Sequence, residues 1–166
     1  NRGGAAANIG HEIAAKAAPD GYTLLLTSGA ADWFWPAAEK AGLPVMFLTD
    51  GKNAELGRVA ERHPQLQLIA DHMGVGGETM KQGRLADAIG QTASLAKYPN
   101  VSVKLSATTA YSAEPYPHRD FNVHIRRLFD GYGPRRCYWG TDLTNSLVRA
   151  TYRQRVTHFT ENLDFM

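Results

Sequence analysis

Short apolar runs alternate with amphipathic segments along this chain, and that alternation restricts its fold more than any other feature. Leu43 to Leu48, Leu66 to Ala70, Val101 to Leu105 and Arg136 to Trp139 read as strands. Each is brief and bounded by turn residues, as buried parallel strands are. Helical patterns lie between them. Asp32 opens a helix to Lys40, with Gly42 as its stop, and Asn53 caps a second that ends near His63, because Pro64 disfavours helical geometry before it. Leu85 to Lys97 carries an apolar stripe at Leu85, Ile89, Ala93 and Ala96. Phe121 to Phe129 and Leu147 to Leu163 complete the helical set. Upstream, a helix over Ile9 to Ala18 and a strand over Tyr22 to Thr27 flank the turn Pro19-Asp20-Gly21. Helix–strand units at spacings of about 25–40 residues suit right-handed crossovers between parallel strands. The fold class is therefore α/β, either an open doubly wound sheet or part of a (β/α)₈ barrel. A full barrel takes about 250 residues, and 166 supply little more than half of one.

Composition excludes several functions. Hydrophobic residues make up 43% and charged residues 20%, the balance of a soluble globular protein. A formal net charge of +2 is too small for a nucleic-acid partner, and the single Arg2-Gly3-Gly4 triplet reads as a loop. No apolar run approaches the ~20 residues of a membrane span. The lone cysteine, Cys137, sits in an apolar strand, where packing explains it better than reactivity. The chain starts at Asn1 without a leader and stops at Met166 just after a helical pattern, which reads as a fragment or a joined pair of fragments.

Two strands end in proton-transfer residues. Leu66–Ala70 runs into Asp71-His72-Met73-Gly74, and Arg136–Trp139 into Gly140-Thr141-Asp142. The ends of parallel strands are where such folds keep their chemistry. An imidazole at His72 could polarise a carbonyl or shuttle a proton, and a carboxylate at Asp142 could take a proton from water or hold a metal; the plainer role for Asp142 is to cap the next helix. Asp71 should point away from His72, because strand side chains alternate. Alternation also sends Ser102, Lys104 and Ser106 to the barrel interior, with Val101, Val103 and Leu105 under the helices. Lys104 then needs either an anionic ligand or a carboxylate partner. Arg149 and Arg153, four apart, could share a helix face and grip a carboxylated substrate, or form a solvated face. His118, His124 and His158 show no ligand spacing, His11 and His63 read as surface residues, and Trp33 and Trp35 as packing.

Four ordered segments carry a resemblance: Ala41 to Met46, Ile69 to Gly74, Tyr98 to Ser106 and Tyr132 to Asp142. With them, residues 32–166 resemble the C-terminal half of amidohydrolase-related (amidohydrolase 2) TIM-barrel hydrolases, about strands five to eight. The resemblance implies hydrolysis of a carboxylated lactone or a related ester or amide. It implies a catalytic Asp142 and His72, with Lys104, Arg149 and Arg153 facing a small carboxylated substrate. Metal-binding members use a His-x-His pair on strand one and a histidine on strand five. Strand five here reads Val45-Met46-Phe47-Leu48-Thr49-Asp50, so the ligand set is incomplete and neither a tightly bound metal nor another cofactor is expected. Residues 1–30 are similar instead to a tripartite tricarboxylate receptor, a periplasmic solute-binding protein, with a junction near Ser28 to Asp32. The domains expected are thus 1–30 and 31–166, the larger implying a cytoplasmic setting. A truncated barrel would be weakly active or inactive and would pair through its open edges into a homodimer. The alternatives are a carboxylate-binding receptor fragment and a self-associating fragment with no biochemical function.

Overall fold

A computed structural model describes residues 34–143 and 149–165, together with Ile13 and residues 16–18. Four short strands form one parallel sheet in the order β1-β2-β3-β4: β1 (Val45–Phe47), β2 (Leu68–Ala70), β3 (Val101–Leu105) and β4 (Cys137–Trp139). The register is in step across the sheet. Phe47 pairs with Ala70, Ala70 with Val103, and Val103 with Cys137. Neighbours in sequence are neighbours in space, with a helical crossover between each pair, as in a segment of a (β/α)₈ barrel.

The longer helices are α1 (Phe34–Lys40), α2 (Asn53–Arg62), α4 (Leu85–Ser94), α6 (Asn122–Tyr132) and α7 (Tyr152–Glu161). Two short ones, α3 (Gly77–Lys81) and α5 (Thr108–Tyr111), follow strand ends and have no apolar period by which the sequence could announce them. Helices α2, α4 and α6 pack side by side and against the sheet. Their apolar faces meet Leu68, Ala70, Val101, Val103 and Leu105 through Leu56, Ala60, Ile89, Ile125 and Leu128, all essentially without solvent contact. Trp35 closes the β1 edge against Phe34 and Phe47, with ring centroids 5.5 and 5.6 Å apart.

Several boundaries differ from expectation for identifiable reasons. Asn53 is not a cap. It is the first residue of α2, and its buried side chain hydrogen-bonds Thr49 and donates to the Ala88 carbonyl at 3.1 Å, stitching α2 to α4. The last helix starts at Tyr152, behind a capping box in which Gln154 N–H donates to Thr151 Oγ1 and Thr151 N–H to Gln154 Oε1. The receptor-like unit expected over residues 1–30 lies, apart from Ile13 and residues 16–18, outside the described residues, as do Asp32 and Trp33.

Among the described residues, helices cover one face of the sheet and leave the other open. Met46 on β1 and Tyr138 on β4 remain 46% and 47% exposed. Alternation puts them on the same face as Ile69, Ser102 and Lys104. At the N-terminal ends of the strands, the Arg136 guanidinium donates to four carbonyls, those of Ala96, Tyr98, Val101 and Tyr132, at 2.8–3.1 Å. This arginine staples the N-terminal end of the sheet, opposite the end that carries His72 and Asp142.

Candidate active site

The C-terminal end of every strand carries a residue other than glycine in left-handed backbone. Asp50 (φ 45°) follows β1, His72 and Met73 (φ 47° and 59°) follow β2, Ala107 (φ 60°) follows β3, and Asp142 (φ 48°) follows β4. Such conformations cost about 1 kcal/mol or more each and persist only where their surroundings enforce them. Each one turns the chain sharply off the sheet and leaves its side chain near the strand end.

His72 is the hub. Its Nδ1 shares a 2.8 Å hydrogen bond with Ser106 Oγ. Its Nε2 lies 3.4 Å from Asp71 Oδ2 and 3.8 Å from Asp142 Oδ1. Ionised carboxylates only accept, so these partners assign the hydrogen of the neutral ring to Nε2, with Nδ1 accepting from Ser106. Lys104 Nζ pairs with Asp71 Oδ1 at 3.1 Å and approaches the Met46 sulfur at 3.7 Å.

Asp71 therefore faces the site rather than away from it. β2 ends at Ala70, and the 3₁₀ turn Asp71–Gly74 carries left-handed His72, so strand alternation no longer governs the two side chains. The same Asp71 Oδ1 accepts the His72 backbone N–H at 3.0 Å, which fixes the turn. Gly140 makes room for the lysine. A Cβ at that position would lie 2.7 Å from Lys104 Cε.

Tyr111 of α5 donates its hydroxyl to the Val75 carbonyl at 2.6 Å. Burial, followed by the negative charges of Asp142, Asp71 and Asp50, raises its pKa far above the ordinary phenol range. Three strand-end carboxylates thus act on one point. Asp50 is a structural member of the group, accepting from the backbone of Glu78 and Thr79 at the start of α3. Burial alone would raise its pKa, but these hydrogen bonds outweigh burial and lower it.

The structure brings His72, Lys104 and Asp142 together at one end of the sheet, but not Arg149 or Arg153. Arg149 donates to the Ser112 carbonyl at 2.6 Å, and Arg153 is exposed on α7. The arginine whose charge reaches Asp142 is Arg155, two residues further along the helix and buried. His118 and His158, which sequence spacing left unassigned, are buried with ring centroids 5.6 Å apart. Ser106, Tyr111 and Arg155 were not singled out for the site. A signal for Arg155 existed: the Thr151–Gln154 capping box fixes the helix start and sets Arg155 and His158, three apart, on one face. Cys137 is a packing residue as expected, its thiol pushed up to about 11 by burial.

These donors do not fit a metal centre. Among the described residues no group of three or more His, Cys, Asp or Glu side chains converges as a metal site. The Asp71 carboxylate holds the Lys104 ammonium at 3.1 Å, so it is already paired with a cation.

A parallel β/α sheet whose neighbours in sequence are neighbours in space, with helical crossovers between them, defines a class, the β/α-barrel folds. Within that class the chain belongs to the amidohydrolase family, whose model matches residues 16–162. No curated protein matches it. Among solved structures, it is similar to a zinc-bound amidohydrolase from Burkholderia multivorans, with TM-score 0.65 and 19% identity over 78% of this chain and 49% of that one. It is also similar to amidohydrolase 2 from Bifidobacterium longum subsp. infantis (TM-score 0.55, 20% identity, 79% and 46% covered). A third is a Pseudomonas putida protein provisionally named a 2-pyrone-4,6-dicarboxylic acid hydrolase (TM-score 0.53, 21% identity, 80% and 50% covered). The chain spans about half the length of the solved structures it matches. At such identities these likenesses speak for the fold, a partial (β/α)₈ barrel. No helix among the described residues is long and apolar enough to cross a membrane.

Proposed function

We propose that this chain is the C-terminal half of a cytoplasmic hydrolase that opens a carboxylated lactone or a related ester or amide. The observation that carries the reading is the convergence of His72 Nε2, the Asp142 carboxylate and the Lys104 ammonium at one end of the sheet. Asp142 accepts a proton as water attacks the carbonyl carbon. His72 donates its Nε2 hydrogen bond to the carbonyl oxygen, where negative charge develops. As the ring C–O bond breaks, the leaving oxygen takes a proton and the product is a hydroxy acid. Lys104, held by Asp71, offers its charge to a substrate carboxylate. Arg149 and Arg153 add positive charge that draws an anionic substrate toward the protein. The name of the Pseudomonas putida relative supports a dicarboxylated lactone as the first substrate to try.

The test is lactone hydrolysis followed by base consumption, with 2-pyrone-4,6-dicarboxylate as probe. Turnover should be slow in so short a chain and should vanish in Asp142→Asn and in His72→Ala. Hydrolysis that survives Asp142→Asn would overturn the assignment.

A second reading concerns assembly. Met46 and Tyr138 are exposed on the inner face of the sheet, beside Ser102 and Lys104, and a second copy is the occupant we propose for it. β4 of one copy beside β1 of the other, at both edges, gives eight strands, the number that closes such a barrel. Light scattering should report a dimer, and a monomer at high micromolar concentration would overturn the pairing.

A further inference from the structure

We propose that Arg155 is the positioning residue for Asp142: its guanidinium clamps both ends of the connection between β4 and α7 and so holds the carboxylate over the strand end. The proposal rests on the catalytic reading of Asp142 above. Arg155 is only 3% exposed, and a charged side chain is rarely buried unless its surroundings repay the desolvation. Nη1 donates to the Thr141 carbonyl at 2.9 Å, immediately before Asp142, and to Thr109 Oγ1 of α5 at 2.8 Å. Nη2 donates to the Ala150 carbonyl at 3.2 Å, where the connection re-enters the described structure ahead of the α7 cap. One planar group thus ties the start of the connection, its end, and the helix after β3.

Two further observations point the same way. Asp142 is left-handed, a conformation that needs outside support. Burial lowers the Arg155 pKa, while the Asp142 charge acts in the opposite sense, so the guanidinium and the carboxylate feel one another. The fork matters as well as the charge. The acceptors are divided between two nitrogens in a plane, which a lysine's single nitrogen cannot reproduce.

The experiment is hydrogen–deuterium exchange on the full chain, comparing Arg155→Met, Arg155→Lys and the exposed control Arg153→Met. In Arg155→Met, exchange over residues 139–143 should rise at least tenfold, while peptides over β2, β3 and α4 stay within twofold. Arg155→Lys should fall between wild type and Arg155→Met, and Arg153→Met should match wild type. If Arg155→Met fails to fold, Arg155→Lys carries the same comparison alone. Unchanged exchange at 139–143, or a rise spread evenly over the core, would overturn the clamp. With 2-pyrone-4,6-dicarboxylate as probe, Arg155→Lys should lower kcat at least tenfold with KM within threefold; a fall in KM affinity with kcat intact would also overturn it. Persistent turnover in Asp142→Asn would remove the catalytic reading while leaving the exchange result to judge the clamp.

Discussion

The two halves of the described sheet are held by different physics. Around β2 and β3, helices α4 and α6 dock through Ile89, Ile125 and Leu128 onto Leu68, Val101 and Val103, all without solvent contact. Around β4, helix α7 buries the polar pair Arg155 and His158 beside Phe159, whose ring centroid lies 6.1 Å from that of Trp139. His158 shares hydrogen bonds with Thr108 Oγ1 at 3.5 Å and with Asn122 Oδ1 at 2.9 Å. Tyr116, Thr157 and Asn162 extend that polar network. Apolar packing is indifferent to direction and to pH. A polar joint has angular preferences and titrates. The half that carries Asp142 is thus the half whose geometry is set by hydrogen bonds, which can hold a carboxylate in one place but depend on solution conditions.

The comparison can be broken most forcefully from the apolar side. Leu68→Ala should cost about 3 kcal/mol, lowering the urea midpoint of the whole chain; a change confined to the β4–α7 region would mean that the sheet is not one cooperative unit. The polar side should respond to acid. Burial first, then the neighbouring His118, push His158 down to about 4, with Asp120 opposing. In the unfolded chain it titrates near the ordinary ~6.5. Between those values the unfolded state binds more protons. The contribution of His158 is therefore complete above about pH 6.5 and is lost as pH falls toward 4, on the order of 3 kcal/mol in all. Urea midpoints at pH 7, 6 and 5 should show the slope, and His158→Gln should flatten it.

A smaller effect probes, within the apolar half, the junction of α2 and α4 with the turn below His72. Gly74 has φ 70°, and a Cβ there would lie 2.3 Å from Asn53 Oδ1 and 2.6 Å from Thr92 Oγ1. Gly74→Ala should cost about 2 kcal/mol through strain and the displaced Asn53. An unchanged thermal midpoint would show that α2 and α4 do not need that stitch. Asp50→Ala removes the acceptor at the start of α3 and should cost about 1 kcal/mol. Arg153→Ala, on the exposed face of α7, should stay within about 0.5 kcal/mol of wild type.

How much the sequence revealed follows the same division. Periodicity located all four described strands and the α4 stripe, because Val101, Val103, Leu105 and Ile89 advertise burial by being apolar. His72, Lys104 and Asp142 were legible because each sits at the end of such a run. Four-residue spacing suggests a shared face for Arg149 and Arg153 and passes over Arg155, since arginine suggests solvent. A buried guanidinium defeats that inference, since nothing in the local sequence shows that Thr109, Thr141 and Ala150 await it. Asp71 was sent the wrong way for a related reason: alternation holds only while the strand lasts, and left-handed His72 ends it. The short helices α3 and α5 are visible only once the strand ends they follow are in place.

Ribosomal synthesis adds an order to these joints. Every carbonyl that the Arg136 guanidinium gathers belongs to a residue made before it, Ala96 through Tyr132. The end of the sheet remote from the chemistry can therefore close as soon as residue 136 clears the exit tunnel, before β4 is complete. Arg155 emerges nineteen residues later, so that end of the sheet can set before the Thr141 carbonyl beside Asp142 meets the guanidinium that holds it.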